Sequence, residues 1–292
     1  MHSKNHIIGS VFFAVCIIAL VTFEFTQSAQ QTDILRIEIL DVGQGDAIYI
    51  RTPKGKDILI DGSIDRHTIY ELGAVMPKTD RYMDVVIATH PDADHIAGLT
   101  ELPHYYSIAN LWRSGAENTT GFFAALNTWE ENYNVQVAYP KRGEIIPIED
   151  GIQLEILHPV SGVYSSAVND DSVMFILRYE EFEMLFTGDA STEIEEEIIE
   201  WYIKQGREQE LDVDILKVGH HGSKTSTGNA FLNAIRPDIG VISVGAGNKF
   251  GHPHSGPLAN LHRAGVDVLR TDLHGRITCT SDGSNYACVS KK

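Results

Sequence analysis

The most constraining feature of the sequence is a cluster of four candidate metal ligands directly after an apolar segment. The segment, residues 84–89, predicts a buried β-strand. Two imidazoles and two carboxylates follow it, at His90, Asp92, Asp94 and His95. Burying such groups at the end of a strand costs free energy unless they bind something. Because neutral imidazole and carboxylate are standard ligands for zinc, manganese and iron, the cluster predicts a metal site on a tight loop between a strand and a helix.

Length and composition indicate a globular protein. With 292 residues the chain can bury a large core, as one domain or as two. Its hydrophobic content of 43% and charged content of 22% argue against disorder. The formal net charge of -17 argues against a broad nucleic-acid-binding surface, which is normally basic. A nuclease is not excluded, because bound divalent metals reverse the local potential.

An apolar segment near the amino terminus predicts export. Residues 7–23 are almost entirely apolar, and Lys4 precedes them. This length lies between that of a signal-peptide core and that of a membrane span, and residues 26–29 resemble a small-residue cleavage site. We therefore keep both interpretations of residues 1–30, a signal peptide or an uncleaved membrane anchor, ahead of one domain at residues 31–292. In either case Lys4 on the inner side predicts an extracytoplasmic domain, secreted or anchored to the membrane.

The spacing of two cysteines agrees with export. Cys279 and Cys288 flank residues 282–285, which are typical of a hairpin turn. If Gly283 and Ser284 form a two-residue loop, counting back pairs the two cysteines as close, non-hydrogen-bonded neighbours, with Cα atoms about 4.5 Å apart. Given the export signal we expect a disulfide, with two unpaired core thiols as the alternative.

From residue 34 onwards, strand signals alternate with helix signals. Two strand-rich halves, each with helices, favour a layered α/β sandwich with sheets inside and helices outside. The predicted strands are residues 34–40, 47–51, 57–60, 85–89, 135–139, 152–157, 173–179, 182–186, 213–218, 239–244, 266–269, 277–280 and 286–289. The predicted helices are residues 122–133, 192–206, 229–235 and 255–264.

The helix predicted from residue 192 is strongly acidic. Residues 192–195 match a capping box, in which the fourth residue bonds back to the first. The helix is expected to expose its glutamates to solvent as one face: Glu193, Glu195, Glu196, Glu197 and Glu200.

Three further polar clusters follow predicted strands. Asp189 ends one strand, although an aspartate in this position is more often only a helix cap. His220 and His221 leave another strand into a loop of glycine and serine. His252 and His254 follow a third, where exposed loop histidines are the alternative. Because strand ends converge where ligands bind in α/β proteins, we expect all four clusters to form one site.

Together these motifs resemble the metallo-β-lactamase fold superfamily, and more specifically the extracytoplasmic C-terminal domain of ComEC-type competence proteins and its stand-alone relatives. The resemblance covers about residues 34–280. It implies a four-layer αββα sandwich, a metal-dependent hydrolase, and a metal site at one edge of the two sheets. The motifs that carry it lie at residues 41–47, 59–62, 89–99, 185–189, 216–223, 251–254 and 270–272.

The resemblance also implies two divalent ions, Mn²⁺ or Zn²⁺. His90 and Asp92 would hold one ion. Asp94 and His95 would hold the second, and Asp189 would bridge the two. A metal-bound hydroxide of lowered pKa would be the nucleophile, and Asp94 would also orient it.

The second ion would be completed by His220 or His221, which the sequence does not distinguish. Two departures from the general superfamily pattern concern the metal. Asp92 stands where histidine is usual, and an oxygen ligand favours Mn²⁺ over Zn²⁺. A ligand histidine found in many members before the Gly-Asp motif is absent, and in the equivalent stretch, residues 169–172, Asp171 either substitutes or only shapes the loop. One metal position can therefore be weak or empty.

The remaining motif residues are expected to act on the substrate or to fix loops. His252 and His254 would stabilise charge on a phosphoryl oxygen or protonate a leaving alkoxide. His221, Ser223 and Lys224 are candidate substrate-binding residues. Three carboxylates in family motifs are expected to fix loops near the site rather than to touch metal: Asp41, Asp46 and Asp61.

The sequence thus predicts an exported hydrolase that cleaves a phosphodiester, in a small molecule or in DNA, by analogy with the ComEC-like branch. The membrane would be a partner through the amino-terminal segment if that segment is uncleaved. One alternative is a hydrolase of esters, lactones or β-lactams. Another is a non-catalytic extracellular binding module on the same scaffold, which the acidic charge favours because DNA would be repelled away from the site.

Overall fold

Two β-sheets form the frame of the protein. The computed structural model describes residues 34–160 and 167–292, so the predicted signal peptide or membrane anchor lies outside the described residues. The strands in these ranges are β1 (Leu35–Ile39), β2 (Ile48–Arg51), β3 (Asp57–Ile60), β4 (Tyr82–Ala88), β5 (Ser107–Arg113), β6 (Gln136–Ala138), β7 (Ile145–Glu149), β8 (Ile152–His158), β9 (Met174–Tyr179), β10 (Phe182–Phe186), β11 (Ile215–Lys217), β12 (Ile239–Ile242), β13 (Asp267–Arg270), β14 (Ile277–Ser281) and β15 (Tyr286–Ser290).

The helices connect these strands. They are α1 (His67–Val75), α2 (Ala93–Ile96), α3 (Gly121–Asn127), α4 (Trp129–Tyr133), α5 (Thr192–Gln205), α6 (Asn229–Ile235), α7 (Ser255–Ala264) and α8 (Thr271–His274). Short 3₁₀ helices lie at Gly98–His104, Val168–Asp171, Glu208–Leu211 and Gly219–Gly222. Among the described residues, none of the helices combines the length and apolar character that a membrane crossing requires.

Each sheet is mixed. The first has the order β15-β14-β1-β2-β3-β4-β5-β6, and the second β13-β12-β11-β10-β9-β8-β7. In the first sheet, β3 to β6 run parallel and the other neighbours antiparallel. In the second, β10 to β13 run parallel. The carboxyl ends of the parallel strands provide the loops on which ligand sites of α/β proteins are built.

The alternation of side chains along the strands explains the layers. In β2, Ile48 and Ile50 face the core between the two sheets, whereas Tyr49 faces the opposite side. The central core contains apolar strand residues from both sheets, such as Phe175 and Phe186, whose rings stack. Full burial of each such side chain contributes about 1.5–3 kcal/mol.

Helices cover the outer face of each sheet. Leu72 of α1 and Leu126 of α3 pack on the first sheet. Ile198 of α5, Phe231 of α6 and Leu261 of α7 pack on the second. The order of layers is therefore helix, sheet, sheet, helix, and the predicted αββα sandwich is confirmed.

The elements differ from the predictions in several places. Helix α1 and strands β5 and β7 were not predicted. The predicted helix over residues 122–133 is wrong as a single element, because it divides into α3 and α4 at Thr128. There the amide and the hydroxyl of Thr128 both donate to the carbonyl of Ala125, which tightens the turn and ends α3.

The predicted capping box is also wrong. Helix α5 follows Ser191, and Glu195 turns away from it. The buried Glu195 carboxylate instead accepts the amides of Thr227 at 2.6 Å and Gly228 at 2.8 Å, at the start of α6. The expectation that all five glutamates are solvated therefore fails for Glu195, while the other four are exposed.

The predicted hairpin disulfide is confirmed. Strands β14 and β15 pair with Cys279 opposite Cys288, and the amide of Asp282 donates to the carbonyl of Asn285 across the turn. The two cysteines are joined, with their Cα atoms 4.1 Å apart. The turn and the alternation of the two strands were sufficient to predict this pairing.

Candidate metal centre

Loops at one edge of both sheets bring the polar clusters together. In the first sheet β3 and β4 run parallel, so Asp61 and His90 leave the sheet at the same edge. In the second sheet β10 and β11 run parallel, so Asp189 and His220 do likewise. Residues far apart in sequence therefore meet as a single centre.

Asp189 lies in the middle of this centre. Its Oδ2 atom is 3.3 Å from Nε2 of His95 and 3.5 Å from Nε2 of His220. Nε2 of His221 lies 3.7 Å from the same oxygen and 3.7 Å from Oδ2 of Asp94. Two ligand atoms that each lie about 2.1 Å from one tetrahedral ion are about 3.4 Å apart. The observed separations match shared coordination better than direct hydrogen bonding.

Two groups of candidate ligands meet around Asp189. The ligand atoms of His90, His95 and Asp189 all lie within 4.8 Å of one another, as do those of Asp94, His95 and His221. Nε2 of His90 is also 4.0 Å from Oδ2 of Asp92. The predicted ligands of the first cluster thus face the centre together.

Two of the histidines, His95 and His221, have a hydrogen-bond acceptor next to Nδ1 that fixes the orientation of the ring. Nδ1 of His95 lies 2.8 Å from Oδ2 of the buried Asp61. Nδ1 of His221 lies 3.0 Å from the carbonyl oxygen of Ser243. When Nδ1 donates its proton to such a partner, the lone pair of Nε2 is left free for a metal.

Hydroxyl groups hold the other two histidines. Nδ1 of His90 lies 3.1 Å from the Thr89 hydroxyl and 3.3 Å from the Ser172 hydroxyl. Burial lowers the pKa of His90 to about 3, so its imidazole is neutral and can act as a ligand. Nδ1 of His220 lies 3.3 Å from the Thr225 hydroxyl. All four Nδ1 atoms therefore have protein partners, and all four Nε2 atoms point elsewhere.

Several buried atoms of the centre have no hydrogen-bond partner among the described residues. Unpaired buried polar atoms are rare in folded proteins, and each one requires an explanation. Imidazole nitrogens and a carboxylate oxygen are ligands of divalent ions, so the side chains present fit such an ion. The unpaired atoms of the centre are Nε2 of His90, Nε2 of His95, Nε2 of His221 and Oδ1 of Asp189.

The electrostatics of the centre also favour a cation. Burial lowers the pKa of His95, but the carboxylates of Asp189 and Asp61 outweigh it and raise that pKa well above its ordinary value. In return the imidazoles hold the pKa of Asp189 well below its ordinary value, against burial. Asp94 has its pKa lowered to about 2 by His221 and His95, again against burial. Bound protons on His95 and His221 thus balance ionised carboxylates, and a divalent cation would replace those protons.

A buried ion pair between Lys217 and Asp46 lies beside the centre, in contact with His221. Nζ of Lys217 lies 2.6 Å from Oδ2 of Asp46, and both side chains are almost fully buried. Oδ1 of Asp46 lies 3.4 Å from Nδ1 of His221. Asp46 thus fixes the loop before β2 and also reaches the ligand histidine, while Asp61 fixes His95. Both also belong to groups whose ligand atoms lie within 4.8 Å of one another, so their predicted role in holding loops rather than metal stays a prediction.

The backbone at the paired histidines is strained. His220 and His221 have φ angles of 47° and 53°, which residues other than glycine rarely adopt. The amide of His220 donates to the carbonyl of Gly188 at 3.0 Å, which ties this turn to the loop of Asp189. A Cβ added to Gly222 would come within 2.5 Å of Pro253. Such strain costs about 1–3 kcal/mol per residue and persists where the surroundings enforce a functional geometry.

The candidate substrate residues differ in their exposure. The ring of His252 is 5.5 Å from that of His220 and 4.9 Å from that of His254. Ser223 is buried, and its hydroxyl accepts from that of Thr225. Lys224, which was also predicted to bind substrate, is exposed. His221, a third candidate of this kind, is buried at the centre, a position that favours a ligand role.

Several residues of the site were not singled out by the sequence. The Ser172 hydroxyl reaches His90 and also accepts the amide of Asp189 at 3.0 Å. Lys217 pairs with Asp46, whose other oxygen lies beside His221. The carbonyl of Ser243 accepts from Nδ1 of His221. The only available signal was a lysine inside the apolar strand β11, because a lysine is rarely buried unless it is paired.

Comparison with known proteins places the fold in a family. The model of the metallo-beta-lactamase superfamily matches residues 40–246. ComE operon protein 3 of Bacillus subtilis is 30% identical over 82% of this chain and 32% of its own length. Recombination protein 2 of Haemophilus influenzae is 28% identical over 91% of this chain and 31% of its own. The chain spans about a third of the length of these curated relatives.

Solved structures show the same fold. Igni18, a metallo hydrolase from Ignicoccus hospitalis, superposes with a TM-score of 0.52 at 13% identity, over 88% of this chain and all of its own. The metallo-beta-lactamase fold protein YhfI from Bacillus subtilis has a TM-score of 0.52 at 10% identity, over 80% of this chain and 96% of its own. At such identities the likeness concerns the fold alone.

Proposed function

The chain belongs to the metallo-beta-lactamase superfamily and is a metal-dependent hydrolase, and from this premise we propose that it hydrolyses phosphodiesters outside the cytoplasmic membrane with two divalent ions. The observation that carries the proposal is the set of four histidines whose Nδ1 atoms have protein partners while their Nε2 atoms meet near Asp189.

We assign the ligands to two positions that share Asp189. Asp94 and His95 form one with His221, whose buried Nε2 faces both Asp94 and Asp189. We assign His90, Asp92 and His220 to the other position. His220 is the ligand that supplements His90 and Asp92, where the sequence lacks the usual additional histidine. The two adjacent histidines thus serve different positions, and neither position is short of donors.

The donor set and its charge suit phosphoryl chemistry. Three of the seven assigned ligands are carboxylates, and Asp92 supplies an oxygen where histidine is usual, which shifts the preference of that position towards Mn²⁺. Two divalent ions at such a site supply an activated water and stabilise charge on the attacking and leaving oxygens of a displacement. Asp61 holds the proton at Nδ1 of His95, and the carbonyl of Ser243 does so for His221. Burial, together with the neighbouring His221 and His220, lowers the pKa of His252 to about 4, so this imidazole is neutral beside the centre and does not carry the proton that the predicted role of an acid requires.

Two further findings support a phosphodiester substrate and export. Curated relatives carry names of competence and recombination, and both processes involve DNA. The disulfide between Cys279 and Cys288 is of a kind that persists in oxidising compartments, in agreement with the apolar amino-terminal segment. Under this proposal the segment delivers the domain across the membrane or anchors it there.

The test is a comparison of substrates with the full chain and added Mn²⁺. We expect hydrolysis of bis-p-nitrophenyl phosphate and of single-stranded DNA, and little turnover of nitrocefin or of a lactone. Asp189→Asn removes the central charge and should reduce kcat/KM for the diesters by at least about a hundredfold. Asp214→Asn is the matched control and should retain parental activity. Asp214 precedes β11 and therefore lies at the end of this strand remote from His220.

The outcomes separate the alternatives. Turnover of only nitrocefin or the lactone would assign the site to esters or β-lactams instead. A protein that binds little metal and turns over none of the four would be a binding module on the same scaffold. Parental activity in Asp189→Asn would contradict the assignment of the centre itself.

A further inference from the structure

The loop after β12 carries an exposed aromatic residue beside the metal centre. Phe250 is 49% exposed, and its ring stacks on that of His252 at a centroid distance of 5.6 Å and an interplanar angle of 22°. His252 in turn lies 5.5 Å from His220 and 6.2 Å from His221, measured between ring centroids. A continuous series of rings therefore leads from the candidate ligands to the protein surface.

This loop is held rigidly by one amide side chain. Nδ2 of Asn248 donates to the carbonyls of Gly245 at 3.0 Å and His252 at 2.7 Å. Oδ1 of Asn248 accepts the amides of Phe250 at 3.1 Å and His252 at 3.0 Å. All four bonds of the amide close the loop on itself. The exposure of Phe250 is therefore built into a braced turn and does not result from a loose segment.

The loop also packs on neighbouring parts of the site. A Cβ added to Gly245 would come within 2.8 Å of the backbone nitrogen of Gln44, two residues before Asp46. The amide of His254 donates to the carbonyl of Gly222 at 2.9 Å, within the turn of the paired histidines. Phe250 is thus fixed relative to the metal centre on two sides.

The immediate surroundings of Phe250 combine an aromatic face with a cation. Nζ of Lys249 lies over the Phe250 ring, 5.1 Å from its centroid, so this flexible side chain must swing aside when a base stacks on that face. The chain as a whole is acidic, with a formal net charge of -17, whereas Lys249 places a positive charge beside the exposed ring. An aromatic ring for a base together with a cation for the backbone is the combination that binds single-stranded nucleic acids.

We propose that Phe250 stacks on a nucleobase of a single-stranded substrate whose phosphodiester lies at the metal centre, with Lys249 beside the neighbouring phosphate. This inference rests on the proposed phosphodiesterase function. It makes Phe250 a specificity-determining residue, because stacking tolerates any base but requires one. A diester without an adjacent base would not benefit from the ring.

The experiment compares the full chain and its variants on two oligonucleotides of equal length, oligothymidylate and its abasic counterpart, with Mn²⁺. The measured quantity is the ratio of kcat/KM for oligothymidylate to kcat/KM for the abasic strand. Phe250→Ala should lower this ratio about tenfold, equivalent to about 1.4 kcal/mol and within the range for one stacked base. Phe250→Leu should do the same, because it keeps apolar bulk but lacks the ring, whereas Phe250→Trp should restore the parental ratio.

Tyr82→Ala is the matched control. Tyr82 is equally exposed, at 49%, but begins β4, at the end of that strand remote from His90, so its loss should leave the ratio unchanged. A parental ratio in Phe250→Ala, or a reduced ratio in Tyr82→Ala, overturns the stacking role while the phosphodiesterase proposal stands. If the parent hydrolyses bis-p-nitrophenyl phosphate but neither oligonucleotide, the base subsite is also refuted. If it hydrolyses no phosphodiester at all, the proposed function fails and the stacking role fails with it.

Discussion

Substitution of Asp61 by Asn tests how the protein prepares His95 for a metal. Asp61 is fully buried and accepts three hydrogen bonds. Oδ1 accepts the amide of Thr89 at 2.8 Å, while Oδ2 accepts the Thr89 hydroxyl at 2.7 Å and Nδ1–H of His95 at 2.8 Å. Its φ angle of 57° is one that Asn adopts as readily as Asp, so the backbone tolerates the change.

The introduced side-chain amide cannot satisfy all three donors in either orientation. If its oxygen keeps the backbone amide of Thr89, its NH₂ group faces Nδ1 of His95. That nitrogen must then accept, the ring proton moves to Nε2, and the lone pair for the metal is lost. If the oxygen keeps His95 instead, the NH₂ group faces the N–H of Thr89, and two buried donors are left opposed.

The first orientation reduces metal affinity and the second reduces stability. Loss of a partner that orients a ligand lowers metal affinity about 10–100-fold, or about 1.4–2.7 kcal/mol. A buried unsatisfied donor costs about 1–3 kcal/mol of the free energy of unfolding. Affinity is measured by competition with a chromophoric chelator, and stability by urea denaturation of the metal-free protein.

Asp57→Asn is the matched control for this prediction. Asp57 is also buried but lies at the other end of β3, where Nη1 of Arg51 is 2.7 Å from its carboxylate. Its substitution is expected to lower stability without changing metal affinity. The reasoning is refuted if Asp61→Asn keeps both parental affinity and parental stability, or if Asp57→Asn loses as much affinity.

Two further predictions concern buried charges. Burial raises the pKa of Glu195 from its ordinary 4.5 to about 7, against the two amides that lower it. Since the folded protein then holds this proton more tightly than the unfolded chain, the free energy of unfolding should fall by about 3 kcal/mol as pH rises from about 4.5 to about 7. Glu195→Gln should remove that decrease, as measured by urea denaturation at several pH values. If the variant keeps the parental dependence on pH, the pKa of Glu195 is not raised. Lys217→Met removes the lysine partner of the buried Asp46 carboxylate and should cost about 3–5 kcal/mol, whereas adding Asp46→Asn should recover part of it; a loss below about 1 kcal/mol in the single variant would contradict the buried pair.

Local patterns in the sequence were sufficient for much of the fold. Apolar runs with clear ends, such as those of β3 and β10, predicted those strands to the residue. Helix α1 was missed because only Thr68 and Leu72 of its residues are buried, which leaves too weak a periodic signal. Strand β7 was missed because it forms the edge of its sheet and has no fully buried residue.

The candidate site was predictable where its residues cluster in sequence. His90 and its neighbours could be found because a strand end concentrates them within a few residues. The partners of the histidines could not, because Ser172, Thr225 and Ser243 are ordinary residues that matter only through contacts made after folding. Glu195 shows the same limit, since a local capping pattern was overridden by the amides at the start of α6, a helix distant in sequence.

The most direct test of the two-ion centre is the metal content of the purified full chain, measured by elemental analysis after equilibration with Mn²⁺ and gel filtration. The parent should retain close to two equivalents of metal per chain, and Asp189→Asn should retain fewer than one, because Asp189 is assigned to both positions. His220→Ala should lose one equivalent selectively, because His221 would still hold the other ion. A parent without bound metal, or an Asp189→Asn variant with the parental content, would contradict the account.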